Sequence, residues 1–224
     1  MQIPPTPKPI TQIDRGSPQY PLRLQDLYDP PASLYIYGDI GLLKMPMIAI
    51  VGSRSASLEG LKNARLFAQA LSKTGVMIVS GLAKGIDSAA HLATIENGPN
   101  HYTAAILGTG LDVVYPRQNF ALFKAISQQG LLISEFPLGV GPKPWHFPRR
   151  NRIIAALAAG VVVVEAAEKS GSLITARLAA DLGREVFALP GPIHSVNSAG
   201  CHLLIQQGAK LAFRPSDVLE ELCF

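Results

Sequence analysis

Arg149, Arg150 and Arg152 stand within four positions of one another, just after Trp145, His146 and Phe147, and no Asp or Glu occurs from 136 to 164. Cations interleaved with rings are the chemistry of a site for a single-stranded nucleic acid. Guanidinium and ammonium groups meet phosphates there, and flat side chains stack on unpaired bases. Lys143 and Asn151 extend the same cluster. These residues suit equally a solvated helix start whose arginines cover carbonyls and apolar neighbours. The cluster alone leaves both readings open.

A second chemistry recurs at short turns. Gly52-Ser53-Arg54, Ser80-Gly81-Leu82, Gly108-Thr109-Gly110 and Ser170-Gly171-Ser172 each follow a short apolar run. Glycines let backbone N–H groups approach an anion, hydroxyls add donors, and a following helix contributes the positive end of its dipole. Arg54 supplies a two-pronged donor for a phosphate. One such turn can be small merely to be tight; four make an anion-binding rim the better reading.

The elements that must carry these turns are legible. Apolar runs at 48–52, 76–80, 103–107, 131–135, 161–165, 185–189 and 209–213 predict seven strands. Between the first two, Leu61, Ala64, Phe67, Ala68 and Leu71 recur at helical spacing and stop at Gly75. Leu173, Ala176, Arg177 and Ala180 run to Gly183 in the same way. Continuous apolar strands alternating with amphipathic helices predict a doubly wound, mostly parallel α/β sheet, an extended Rossmann-like fold. Ligands of such a sheet bind beyond the carboxyl ends of its strands, where the turns lie. The division expected is a proline-rich extension, 1–46, packed on a core domain, 47–224. Half of the 18 prolines fall in that extension, so it should be extended and irregular, its first dozen residues disordered.

Composition narrows the classes. Apolar residues at 48% and charged residues at 16% describe a chain that buries a sizeable core, and a formal charge of +4 permits a polyanionic partner without requiring one. Cys201 and Cys223 are too few for a disulfide framework and read as free thiols of a reducing cytoplasm. No signal peptide or membrane span is expected, so the protein reads as cytoplasmic. Gly108-Thr109-Gly110 does not continue as a dinucleotide fingerprint, and no phosphate-binding GxxxxGK[ST] loop occurs. Cys201-His202 with His194 is the sole metal-like group, and adjacent ligands on a helix point apart, so neither metal nor cofactor is expected. Asp87 reads as a helix cap. No nucleophile has a base and carboxylate that sequence places beside it, so no catalytic residue is assigned.

The same motifs resemble the DNA-processing protein A family (DprA/Smf). Residues 52–60 match its GSRxxSxxG signature, which includes Ser57, and 80–87 its SG-A-GID turn with Ser80, Gly81 and Lys84. The series continues with Gly108-Thr109-Gly110-Leu111-Asp112, Tyr115-Pro116, Ser134-Glu135-Phe136, Phe147-Pro148-Arg149-Arg150-Asn151-Arg152, Ser170-Gly171-Ser172-Leu173, Pro190-Gly191 and 200–205, in family order. The resemblance implies a bacterial, cytoplasmic, non-enzymatic binder of single-stranded DNA that protects incoming DNA in natural transformation and helps load RecA recombinase. It also implies a homodimer formed through the C-terminal part. Gly52, Ser53 and Arg54 would form its phosphate pocket beside Ser80, Gly81 and Lys84. Phe147 would stack on bases, with Arg149, Arg150, Asn151 and Arg152 along the backbone groove; Ser57, Thr109, Lys143, Ser170, Gly171 and Ser172 complete the DNA-binding set. Family members usually carry a winged-helix-like domain after this core and often a helical domain before it; neither is expected within these 224 residues. The alternative is a nucleotide-processing enzyme related to Rossmann-like nucleotide phosphoribohydrolases, whose loop carries a glutamate where this chain has small or apolar residues.

Overall fold

A computed structural model of the chain describes residues 9–222. Nine strands form one sheet: β1 (Ile10–Asp14), β2 (Ser33–Gly38), β3 (Met47–Val51), β4 (Met77–Ser80), β5 (Thr103–Leu107), β6 (Leu131–Ser134), β7 (Gly160–Val163), β8 (Glu185–Ala188) and β9 (Lys210–Leu211). Seven helices join them: α1 (Leu58–Ser72), α2 (Ile86–Glu96), α3 (Phe120–Gln129), α4 (His146–Leu157), α5 (Gly171–Asp181), α6 (Val196–Gln206) and α7 (Pro215–Leu222). Each of the seven expected strands is present, and the fold is the doubly wound α/β architecture anticipated.

The sheet order is β1-β2-β6-β5-β4-β3-β7-β8-β9, parallel from β6 to β9. Alternate residues of the central strands serve opposite faces, as the pleat demands. Ala49 and Val51 pack with α4, α5 and α6 residues such as Ile153, Ala176 and Cys201, whereas Ile48 and Ile50 pack with Phe67, Ala90 and Val218 of α1, α2 and α7. Strands buried on both faces read as unbroken apolar runs, which is why sequence finds them.

The N-terminal segment departs from expectation. It is not an irregular strap: β1 pairs antiparallel with β2, and β2 with β6, placing Ile36 opposite Ile133. It thus completes one edge of the sheet, with Tyr20, Leu24 and Leu34 buried in the same core. The first eight residues, part of the stretch expected to be disordered, and Cys223 lie outside the described residues. Cys201 is buried, a free thiol that burial pushes up to about 12. It donates to the Val163 carbonyl while the ring of His202 faces Gly191, so the two adjacent side chains do point apart.

This topology fixes where a ligand can sit. The chain winds from β3 through β4, β5 and β6 to one side, and α4 then carries it back to β7 on the other side of β3. Loops leaving the carboxyl ends of β3 and β7 therefore diverge and open a crevice between them.

Candidate nucleic-acid interface

Three turns build the walls of that crevice. After β3, the Ser53 N–H donates to the Glu165 carbonyl (2.7 Å), and the Ser53 carbonyl accepts from the Ile86 N–H (3.2 Å). A Cβ on Gly52 would stand 2.7 Å from Ile86 Cγ1 and 2.9 Å from the Glu165 oxygen, so this clamped turn admits only glycine. After β7, Ser170 caps α5: its Oγ accepts from the Ser172 N–H (3.3 Å) and lies 2.7 Å from Ser172 Oγ. The positive end of α5 thereby faces the cleft beside Arg54 and Lys169.

The turn after β4 is held from below. The Asp87 carboxylate accepts from the Gly81 N–H (3.0 Å) and the Ala83 N–H (3.3 Å), both upstream of α2. Asp87 is thus a brace for the Ser80–Lys84 turn rather than the cap of its own helix. Asn119 donates to the Leu82 carbonyl (2.9 Å), fixing a buried leucine at φ +56°. Arg150 completes the frame: Nη1 donates to the Gly81 carbonyl (2.5 Å) and the Ile106 carbonyl, and Nε to Asn151 Oδ1 (3.1 Å). Burial raises the Asp87 carboxyl above its ordinary value against the pull of Arg150. It lowers the Arg150 guanidinium to about 10, with Asp87 opposing and Arg54 adding. At neutral pH Arg150 remains charged.

Helix α4 sorts the remaining cluster by azimuth. Phe147, Arg150, Asn151 and Ile154, at helical spacing, line the crevice cavities. Arg149 and Arg152 project elsewhere. Arg149 Nε donates to Glu135 (3.0 Å), Arg152 also pairs with Glu135, and Asp29 lies within 4.0 Å of both arginines. The stretch free of acids in sequence is therefore not free of them in space.

The cleft has three adjoining parts that share lining residues. A cavity of about 500 Å³ lies between the β3 and β7 turns, lined by Gly52, Ser53, Arg54, Asn151, Ser170, Gly171 and Ser172 among others. A second, of about 380 Å³, has Arg54, Tyr115, Lys143, Phe147 and Asn151 in its walls. A third, of about 70 Å³, lies between Arg54, Gly81, Lys84, Tyr115, Phe147 and Arg150. Arg54 borders all three. Its guanidinium stands 5.6 Å from the centre of the Phe147 ring, whose other close neighbour is Tyr115 at 5.3 Å.

Twelve of the seventeen residues singled out from sequence line one of these cavities. Five do not. Ser57 caps α1, donating to Glu165 Oε1 (2.5 Å) and accepting from the Gly60 N–H (3.0 Å). Ser80 and Thr109 are buried, their hydroxyls donating to the Ile50 and Val113 carbonyls. Arg149 and Arg152 are turned toward Glu135. Arg150 reaches the cleft only from underneath, as a structural cation. Sequence reasoning missed Lys169, adjacent to the Ser170 turn, and Asn197, which donates to the Ser55 carbonyl (3.2 Å). It named Tyr115 only within the Tyr115-Pro116 family motif and gave it no role at the site. Lys169 was findable by proximity in sequence; Asn197 carried no signal.

The switch-point cleft of this doubly wound, Rossmann-like domain thus brings together paired turns, a helix N-terminus, exposed cations and a recessed ring. Residues 11–223 match the sequence profile described as DNA recombination-mediator protein A, and the chain belongs to that family. The DNA processing protein DprA of Streptococcus pneumoniae is 50% identical over 205 residues, which cover 92% of this chain and 72% of that protein. Its crystal structure superposes with a TM-score of 0.91 at 48% identity, over 95% of this chain and 74% of that chain. Protein Smf of Escherichia coli is 48% identical over 95% of this chain, which spans only 56% of that longer protein. A structure of Helicobacter pylori DNA processing protein A, described for its single-stranded DNA binding mode, matches with a TM-score of 0.86 at 31% identity, over 96% of each chain.

Proposed function

We propose that this protein binds single-stranded DNA along the switch-point cleft and acts as a binder rather than a catalyst. The observation that carries the reading is the Phe147 ring inside a cleft whose rim is Arg54, Lys84, Lys143 and the α5 N-terminus. A ring in that setting can stack on a base only if the base is unpaired and free to turn inward; a duplex keeps its bases inside. Phosphates on either side would meet Arg54 and the Ser53 and Ser170–Ser172 turns. The relative from Helicobacter pylori, described by its single-stranded DNA binding mode, supports the same reading.

The nucleotide-processing alternative loses its footing. Asp87, the carboxylate lining the cavity of about 500 Å³, is buried and engaged by the Gly81 and Ala83 N–H groups. Protection of incoming DNA, transfer of the strand to RecA recombinase, residence in the cytoplasm and a homodimer follow as proposals from family membership. A dimer through the C-terminal part is supported by the edge position of β9 and the exposed Leu211 and Phe213 beside it. No helix among the described residues is long and apolar enough to cross a membrane.

Fluorescence anisotropy with labelled single- and double-stranded oligonucleotides at two salt concentrations tests the reading. Wild type should prefer the single strand with salt-sensitive affinity, and Arg54→Ala should lower affinity at least about tenfold. It should also flatten the slope of log K against log salt by about 0.7, one phosphate's worth. An unchanged titration for Arg54→Ala would remove the cleft assignment.

A further inference from the structure

We propose that Tyr115 is a second base-stacking residue, taking the nucleobase next to the one held by Phe147; the inference rests on the cleft being the single-strand site. Tyr115 carries 44% of its surface exposed, the most open ring in the cleft, and lines both cavities that flank Phe147. Phe147 itself is seated: a Cβ on Gly108 would stand 2.9 Å from its Cδ1, so backbone lies directly behind the ring. Arg54 covers it at 5.6 Å and Tyr115 leans on it at 5.3 Å with planes 34° apart. Tyr115 is therefore the more open of the two rings, with exposed surface left for a second base beside the one on Phe147.

Cavity size divides the labour between the two sides of the pair. The cavity of about 70 Å³ beside Lys84 has room for about two waters, too little for a base. The one of about 380 Å³ is walled, besides the two rings, by Pro142, Pro144, Pro148 and Ile174, with Lys143 and Arg54 at its edge. An apolar slot with cations at its mouth suits a flat base whose flanking phosphates stay outside. Two rings of different tilt require successive bases to be unstacked from each other, a geometry open to a flexible single strand. Stacking reads the π-face of any base, so the pair confers preference for unpaired bases without sequence preference.

The test combines affinity with contact. Tyr115→Phe should bind a single strand as wild type does, whereas Tyr115→Leu should lose roughly tenfold in affinity with its salt slope unchanged. A strand carrying 5-iodouracil, irradiated in the near ultraviolet and mapped by mass spectrometry, should cross-link to Tyr115 in the wild type. Because Tyr115 also supports Phe147, loss of affinity alone does not decide; a wild-type complex that cross-links at Phe147 and never at Tyr115 overturns the inference. Tyr115→Leu binding as wild type does also overturns it. Failure of wild type to bind the strand at all would instead refute the single-strand reading beneath it.

Discussion

Arg150→Met separates two roles for one arginine, a ligand for DNA or a pin for the fold, and the structure commits to the pin. Arg150 is 4% exposed and Asp87 6%. Removing the cation strands the Asp87 carboxylate in a desolvated site and leaves the Gly81 and Ile106 carbonyls without their donor. Leaving a buried charge uncompensated, and two carbonyls without their donor, costs together about 3–5 kcal/mol. In a domain of this size each kcal/mol shifts Tm by about 2–4 °C, so a loss of roughly 6–20 °C is expected. The pH dependence has a definite sign. The folded Asp87 carboxyl already lies above its ordinary value, and losing Arg150 raises it further. Above the ordinary carboxylate range the folded state then holds a proton that the unfolded chain releases. Stability of the variant should therefore rise as pH falls through that raised value toward the ordinary carboxylate range, narrowing the gap to wild type. Adding Asp87→Asn removes the stranded charge while its amide oxygen still accepts from Gly81 and Ala83, so the double variant should recover part of the loss. Thermal unfolding followed by circular dichroism between pH 5 and 8 gives all three readings. A Tm within about 2 °C of wild type, or no recovery in the double variant, would refute the argument that Arg150 and Asp87 support each other.

Three further outcomes follow from the same geometry. Arg149→Ala should change single-strand affinity by less than about threefold, because its guanidinium is exposed and committed to Glu135, whereas Lys84→Ala should flatten the salt slope by about 0.7; anisotropy titrations separate them. Gly81→Ala would drive a Cβ onto the Arg150 guanidinium and should cost about 1–3 kcal/mol in urea unfolding. Burial, with help from Arg150, lowers His91 to about 3, so the unfolded chain takes up a proton that the folded state refuses; stability from this group falls as pH drops from about 6.5 toward 3, and His91→Asn should lessen that fall.

The contrast between what was legible and what was not follows from locality. Strand β3 and its neighbours are buried on both faces, so apolar composition alone reveals them, and the turn chemistry at their ends belongs to contiguous residues such as Gly52-Ser53-Arg54. Strands β1 and β2 were hidden because β2 takes its register from β6, far along the chain, with β1 added at the edge, and because prolines around them suppress a strand pattern. Charge deceives for the same reason. Counting arginines along 149–152 treats them as one surface, yet helical geometry sends Arg150 inward to the Gly81 and Ile106 carbonyls while Arg149 and Arg152 meet Glu135 and Asp29. Glu135 lies one residue outside the acid-free window, and Asp29 arrives with the N-terminal segment. What remains exposed in the cleft is a smaller set drawn from separate turns: Arg54, Lys84, Lys143 and Lys169, around two rings. A switch-point cleft can thus be inferred from local turn chemistry, whereas the cations free to meet phosphate emerge only after long-range pairing has neutralised the others.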